Sequence, residues 1–151
     1  MMLSEKIDVQ CFLPHRAPFL FVDEAAVDFS REQVVATHTF MPDEPYFSGH
    51  FPGNPIVPGV VLIECMAQAC RLLLNVRMAR VVSGYLVGVE TAKFLSLVRP
   101  LQTVTFNCRL DTHLGDEEHK DVQMYSFRCS AFVDKVRCAR SYLQLYKSTT
   151  Y

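Results

Sequence analysis

The sequence of 151 residues lacks an excess of charge of either sign, with 15 lysines and arginines against 16 aspartates and glutamates. Broad nucleic-acid binding is not expected, because it usually requires a clustered positive field. The first residues also lack the basic start and the apolar stretch of roughly 7–15 residues that define a secretory signal. No uninterrupted apolar run approaches the roughly 20 residues that span a bilayer. These absences favour a soluble cytoplasmic protein with no membrane insertion.

Closely paired cysteine motifs are missing as well, because no Cys-x-x-Cys pair occurs. The sequence has six cysteines, most of them inside apolar segments: Cys11, Cys65, Cys70, Cys108, Cys129 and Cys138. In a cytosolic protein such residues usually behave as small buried hydrophobes. We therefore expect neither a disulfide framework nor a metal site.

Half of the residues are hydrophobic, which is enough to form the core of a single domain spanning 1–151. The apolar pattern predicts two helices and five or six antiparallel strands, an α+β arrangement. The helices are expected at 4–12 and 60–75, and the strands at 19–27, 33–40, 84–94, 103–110, 124–133 and 139–146. A turn at 28–32, a long loop at 41–58 and a polar hairpin loop at 114–120 are expected to connect them.

The predicted helix at 60–75 is apolar on nearly every side in its first three turns, which is typical of a buried helix. One sheet can cover only one side of such a helix. A second subunit could cover the rest, so the sequence favours a dimer.

Glu64 interrupts this apolar helix. A buried carboxylate is costly unless it is hydrogen-bonded or paired. Gln68 lies four residues later on the same face and could hold Glu64 through its amide. Burial also raises the pKa of a carboxyl group toward a value that suits a general acid near neutral pH.

His50 lies in the long loop before this helix, within the proline- and glycine-rich segment 48–55. Histidine titrates near neutrality and serves as a general base. Gly59 begins the helix, where free N–H groups and the helix dipole could stabilise an oxyanion. His50 or Glu64 alone could be purely structural, but both around one helix start favour a catalytic site. The remaining histidines are expected at the surface (His38, His113 and His119) or as a structural turn residue (His15).

Two stretches of the chain resemble the FabZ type of 3-hydroxyacyl-acyl carrier protein dehydratase. They are LPHRAPFLFVD at 13–23 and GHFPGNPIVPGV at 49–60, the latter continuing through IECMAQA at 63–69. The later strands agree in order, so the likeness covers nearly the whole chain. The resemblance implies a hotdog fold, in which a curved antiparallel sheet wraps a central helix. It also implies a homodimer with joined sheets, and members often assemble three such dimers into a hexamer.

The resemblance further implies the chemistry. The family's catalytic histidine matches His50, and its acidic partner matches Glu64 of the neighbouring subunit. The substrate would be a 3-hydroxyacyl chain on the phosphopantetheine arm of an acyl carrier protein, in fatty-acid, polyene or related acyl-chain biosynthesis. His50 would remove the C2 proton, Glu64 would help hydroxide leave C3, and the Gly59 N–H would bind the thioester carbonyl. No metal or redox cofactor is implied, and glutamate rather than aspartate favours dehydration without double-bond isomerisation.

An acidic carrier protein implies a basic docking rim near the tunnel mouth. The candidates for this rim are Arg71, Arg77, Arg80, Lys93 and Arg99, and the candidates for lining or gating the acyl tunnel are Tyr46, Phe47 and Phe94. Ordinary surface charge and ordinary core packing are the alternatives for these two sets. Arg71 replaces a glycine that is common in the family, which indicates a divergent member.

Two other functions compete with dehydration. A hotdog thioesterase would carry a carboxylate on the central helix, but such enzymes lack the His-Phe-Pro-Gly loop, so His50 counts against it. A non-catalytic protein that binds acyl carriers or supports another dehydratase subunit is the second alternative, which an intact His50 and Glu64 disfavour.

Overall fold

A seven-stranded antiparallel sheet wraps around one long helix in the computed structural model, which describes residues 4–115 and 122–148. The elements in chain order are β1 (Glu5–Ile7), α1 (Val9–Phe12), β2 (Glu24–Asp28), β3 (Gln33–Thr39), a 3₁₀ turn (Pro45–Ser48), α2 (Gly59–Met78), β4 (Ser83–Phe94), β5 (Thr103–Gly115), β6 (Val122–Val133) and β7 (Val136–Ser148). The strands are ordered β1-β2-β3-β5-β6-β7-β4 across the sheet. This α+β arrangement of a curved sheet around a central helix is the expected hotdog fold.

Helix α2 is the centre of the hydrophobic core. It begins after Pro58, whose carbonyl accepts the Val61 N–H at 3.0 Å, and it ends at Ala79, which adopts a left-handed φ of 54°. Its inner face is fully buried and packs against β3, β5, β6 and β7. Among the described residues α2 is the one helix whose length and composition would suit a membrane span, but most of it is buried within this chain, as core helices are.

The N-terminal segment differs from the predicted helix at 4–12. Residues Glu5–Ile7 form a strand that pairs with β2, and only Val9–Phe12 are helical. The prediction was wrong because pairing with a strand some twenty residues away in the chain overrides a weak local helix preference.

The predicted strand at 19–27 begins only at Glu24. Two of the preceding backbone groups, at Phe19 and Phe21, bond to a side chain of α2 instead of a neighbouring strand. The Phe21 N–H donates to Gln68 Oε1 at 2.9 Å, and Gln68 Nε2 donates to the Phe19 carbonyl at 2.9 Å. Gln68 therefore fastens this extended segment across the helix.

The C-terminal half follows its alternating pattern closely. The predicted strand at 103–110 continues to Gly115, so the first two residues of the predicted hairpin loop at 114–120 belong to β5, and 116–120 lie outside the described residues. Strand β7 is longer at both ends than the predicted 139–146.

His38 is buried, so its expected surface position was wrong. It lies in phase with Val34 and Ala36 on the inner face of β3. Its Nδ1 is 2.9 Å from Asp23 Oδ1, and the ring packs edge-on against neighbouring aromatic rings. His113 is exposed as expected, and His119 lies outside the described residues.

Strand β4 is the last strand at one side of the sheet and pairs only with β7 among the described strands. It is twelve residues long, and its exposed side chains include Tyr85, Leu86, Val87 and Val89. A long apolar edge strand is a template for pairing with another chain.

Three cysteines meet in the core between α2 and the sheet. The Sγ atoms of Cys70, Cys108 and Cys129 lie within 4.8 Å of one another, and all three residues are buried. Burial raises the pKa of Cys70 and Cys108, whereas hydrogen bonds with Cys108 and Cys70 lower the pKa of Cys129 to about 5. The surrounding side chains are mostly apolar, so this placement suits packing, and the absence of a metal stays a prediction.

Candidate active site

His50 is held by the backbone of its own loop. Its N–H donates to the Tyr46 carbonyl at 2.9 Å, and its carbonyl accepts the Ile56 N–H at 2.9 Å. The ring Nδ1 lies 2.9 Å from the Ile56 carbonyl, which can only accept. Nδ1 must therefore carry the proton in the neutral ring, and Nε2 keeps a free lone pair. The following peptide bond, His50–Phe51, is cis.

The His50 cavity has a volume of about 380 Å³ and is mostly apolar. Its lining residues are His50, Phe51, Ile56, Val57, Gly59, Val60, Leu62, Phe94, Ser96, Leu97 and Val98. The loop and the start of α2 thus face one space, where a proton acceptor lies near free helix N–H groups.

Phe94 lies directly over Gly59 in this cavity. A Cβ atom added at Gly59 would lie 2.8 to 3.0 Å from three atoms of the Phe94 ring. About half of the Phe94 surface remains exposed. The absence of a side chain at Gly59 therefore allows the ring to cover the helix start.

Glu64 opens into a second cavity, one turn further along α2. Gln68 Nε2 donates to Glu64 Oε1 at 3.1 Å, and His15 Nε2 lies 3.8 Å from the same oxygen. This Glu64 cavity has a volume of about 260 Å³ and is lined by His15, Glu64, Ala67, Gln68, Arg71, Gly84, Tyr85, Leu86 and Leu145. The Gln68 bond is the one that the four-residue spacing predicts.

The electrostatics of the Glu64 cavity favour a neutral acid. Burial raises the pKa of Glu64, while the Gln68 amide and the Arg71 charge oppose that rise. Burial lowers the pKa of His15, and the nearby Arg71 charge lowers it further. Glu64 is thus biased toward its protonated form and His15 toward its neutral form.

His50 and Glu64 of one chain face different cavities, since the two lining sets share no residue. Each cavity alone thus offers a substrate only one of the two groups. The arrangement would suit a site completed by a second copy, in which each cavity meets its counterpart.

The other tunnel candidates take different positions. Phe47 is buried and Tyr46 is half-buried, with their rings packed edge-on at 4.8 Å beneath the His50 loop. Neither is among the described residues that line the two cavities, whereas Phe94 lines the His50 cavity.

The docking candidates lie in several parts of the fold. Arg71 lines the Glu64 cavity. Arg77 and Arg80 lie at the far end of α2, where Arg77 pairs with Glu32 at 2.7 Å. Lys93 is exposed near the end of β4, and Arg99 bonds to the Asn54 side chain in the His50 loop at 2.8 Å.

Sequence reasoning missed His15 as a member of the site. Its Nδ1 is buried with no hydrogen-bond partner among the described residues, and its Nε2 faces Glu64. The two residues are far apart in the chain, so no spacing pattern could join them.

A sheet of this order around a buried helix, with a histidine loop at the helix start, defines a hotdog-fold protein. Solved structures agree on the fold. A subunit of the dehydratase heterocomplex ApeI:P from Xenorhabdus doucetiae matches with a TM-score of 0.76 and 20% identity, covering 95% of this chain and 93% of that one. A hypothetical thioesterase with coenzyme A from Streptococcus pneumoniae matches with a TM-score of 0.53 and 10% identity, covering 78% of this chain and 80% of that one.

Sequence comparisons identify the family of hotdog-fold proteins to which the chain belongs. The ApeI-like family, described as ApeI dehydratase, matches residues 26–139. The FabZ 3-hydroxyacyl-[acyl-carrier-protein] dehydratase of Lactobacillus helveticus is 35% identical, covering 92% of this chain and 90% of that protein. The FabZ protein of Oenococcus oeni is 42% identical, covering 69% of this chain and 76% of that protein. The chain belongs to the FabZ-type, ApeI-like dehydratase family.

Proposed function

We propose that this dehydratase removes water from 3-hydroxyacyl chains carried on an acyl carrier protein, giving trans-2-enoyl chains. The observation that carries the proposal is the fixed tautomer of His50. Its Nδ1–H donates to the Ile56 carbonyl, which leaves Nε2 as a proton acceptor beside the N–H groups at Gly59. This is the geometry of a general base next to an oxyanion site.

Each group has one role in the reaction. The N–H at the start of α2 binds the thioester carbonyl and makes the C2 proton more acidic. His50 Nε2 takes that proton, and the C2–H electron pair becomes the C2=C3 double bond. The C3–O bond breaks as Glu64 gives its proton to the leaving oxygen, so water departs. The thioester carries the developing charge, so the scheme requires no metal or redox cofactor.

We infer that the working site is shared by two copies of this chain. Two observations support this: the apolar edge of β4 offers a surface for pairing, and His50 and Glu64 of one chain line separate cavities, which a partner could join at one substrate. Three such dimers would make a hexamer. A different dehydratase subunit in place of the second copy is the heteromeric alternative.

The carrier protein would dock on the outer face of the sheet. Two pairs of cations face each other directly across strands there, Arg109 with Arg128 and Lys93 with Arg140, and all four are exposed. Asp111 already pairs with Arg128 at 3.3 Å, and an acidic partner would offset the remaining positive charge of this face. Lys93 precedes Phe94, which places one border of this face next to the His50 cavity.

The thioesterase alternative draws support only from the fold and from the carboxylate on α2. A hydrolase would need a water molecule aimed at the thioester carbonyl, whereas the His50 cavity is mostly apolar. We therefore rank dehydration above hydrolysis. Cytoplasmic location and a fatty-acid, polyene or related pathway remain predictions.

The test measures two products from one substrate. Purified protein is incubated with 3-hydroxyacyl carrier protein, and enoyl formation and free thiol release are followed together. Dehydration is expected in the wild type, with a loss of about 10²–10⁴-fold in His50→Ala and Glu64→Gln. Thiol release without enoyl product would overturn the proposal in favour of hydrolysis. No product with intact carrier binding would favour the accessory role.

A mixing experiment tests the shared site. His50→Ala and Glu64→Gln chains are unfolded, mixed in equal amounts and refolded together. A mixed dimer then holds one site with both native residues and one with neither. Random pairing makes half of the dimers mixed, so about one quarter of wild-type activity should return. No recovery, with mixed dimers verified by mass spectrometry, would contradict a site shared between chains.

A further inference from the structure

Arg71 occupies an unusual position for a charged side chain. It lies seven residues after Glu64 on the same face of α2, and its guanidinium shares the Glu64 cavity. Its Nη2 donates to the Val82 carbonyl at 2.8 Å, which fixes the group in place. Its Nε is buried and has no hydrogen-bond partner among the described residues.

This position takes the Arg71 charge away from water. Burial lowers the pKa of Arg71, which reflects the loss of water around its charge, and Tyr85 and Glu64 oppose that effect. A buried N–H donor without an acceptor carries the full cost of its desolvation. A cavity of about 260 Å³ beside that donor leaves room for a group that could accept the bond.

If the proposed function holds, the acyl chain of the substrate passes the Arg71 Nε–H. With C3 at Glu64, the carbons beyond C3 must continue through the Glu64 cavity. That cavity extends along α2 from Glu64 over Gln68 to Arg71. Seven residues of helix rise about 10 Å, and the Arg71 side chain slants back toward the helix start, which brings its head closer to Glu64.

We infer that Arg71 is a specificity-determining residue, which selects acyl chains that carry an oxygen acceptor beyond C3 over wholly apolar chains of equal length. An apolar chain would fill the cavity and leave the Arg71 Nε–H without water or a partner. A keto or hydroxyl oxygen on the chain would accept that hydrogen bond. A site built to bond a polar group discriminates strongly against the analogue that lacks it.

The test compares carrier-bound substrates of one length. They are 3-hydroxynonanoyl chains, unsubstituted or with a keto group at C6, C7 or C8. In the wild type, kcat/KM for at least one keto chain should exceed that for the unsubstituted chain by about tenfold or more. Because all share the same dehydration step, the ratio of kcat/KM values isolates the effect of the distal oxygen.

Two variants and a control assign the effect to Arg71. Arg71→Met keeps the length and removes the donors, so the preference should fall to about one, because an apolar side chain cannot reward an acceptor. Arg71→Lys keeps a cation and should retain part of the preference. This second variant keeps the test valid if Arg71→Met folds poorly. Arg31→Met, at an exposed turn away from the cavity, should leave the ratio unchanged.

The outcomes separate this inference from the proposed function. A wild type that dehydrates none of the chains defeats the proposed function. A wild type that dehydrates them but shows no preference for a keto chain overturns the role of Arg71 alone. The role of Arg71 is also overturned if both Arg71→Met and Arg71→Lys keep the full preference for the keto chain, since residues other than Arg71 would then cause it.

Discussion

The Gln68 side chain joins Glu64 to the backbone of the N-terminal segment. Its oxygen accepts the Phe21 N–H, so the opposite side of the amide must be the NH₂ group that donates to Glu64 Oε1 at 3.1 Å and to the Phe19 carbonyl. This orientation of the amide is therefore set by the backbone. With Oε1 accepting from Gln68, a protonated Glu64 carries its proton on Oε2, the oxygen left to act on a substrate.

Replacing Gln68 with methionine should impair both folding and catalysis. The substitution keeps the side-chain length but leaves the buried Phe21 N–H without its partner, at about 1–3 kcal/mol, and also removes the bond to the more exposed Phe19 carbonyl. Thermal unfolding should show a clearly lower midpoint, and kcat should fall because Glu64 loses its hydrogen bond. Gln33→Met, which removes an amide from a strand away from the site, is the control. An unchanged kcat in a folded Gln68→Met protein would contradict the positioning role.

Glu64→Gln should stabilise the protein while abolishing catalysis. Burial raises the pKa of Glu64 in the folded state. A raised carboxyl pKa means that stability is present at low pH and is lost as pH rises through the folded-state pKa. The amide does not ionise, so the variant should avoid this loss and unfold at a higher temperature than the wild type near neutral pH.

The thermal unfolding midpoints of Glu64→Gln and the wild type, measured across pH, test whether the Glu64 charge destabilises the folded protein. The difference between Glu64→Gln and the wild type should be smallest in acid and grow toward neutral pH. A difference that is constant, or that shrinks as pH rises, would show that the folded protein does not disfavour the Glu64 charge.

Gly59→Ala should displace Phe94 and reduce catalysis. The added methyl group would lie within 3.0 Å of the ring, so the ring must move or the helix start must shift. We expect kcat/KM to fall by about 10- to 100-fold, because a small displacement of an oxyanion donor is costly. Phe94→Ala with Gly59→Ala should lose less than the sum of the single losses, as residues in contact do. Simple additivity of the two losses would exclude the contact as the cause.

A charge on the exposed edge should separate the subunits. Val89→Lys places a cation within the apolar face of β4, and edge lysines oppose pairing between strands. Light scattering should report a monomer, and dehydration should fall to background while the circular dichroism stays that of a folded chain. Val136→Lys, at an exposed valine on another strand, is the matched control and should stay oligomeric. A fully active monomer would contradict the shared site.

Much of the fold could be predicted because its signals are local. The apolar run around Glu64 predicted α2 nearly to its ends, and strict alternation predicted β5 and β6. The four-residue spacing gave the bond between Gln68 and Glu64. The alternation of buried residues along β3 also places His38 on the same face as Val34, which indicates that His38 is buried.

Other features depend on contacts between distant parts of the chain. The three residues of β1 are a strand only because β2 lies beside them. The bonds of Phe19 and Phe21 go to a side chain, which no strand pattern encodes. His15 reaches Glu64 through the path of that same segment, and Arg71 enters the cavity because its guanidinium is held by Val82. These relations exist only in three dimensions.

The unpaired edge of β4 also bears on how a newly made chain survives. A single folded chain presents the open edge of a twelve-residue strand and several apolar side chains to other chains nearby. Slow assembly at low concentration would thus expose the protein to aggregation and proteolysis. The same strand would decide which related subunit could be captured in a mixed complex. Abundance, solubility and choice of partner would then depend on the same strand that helps to line both cavities.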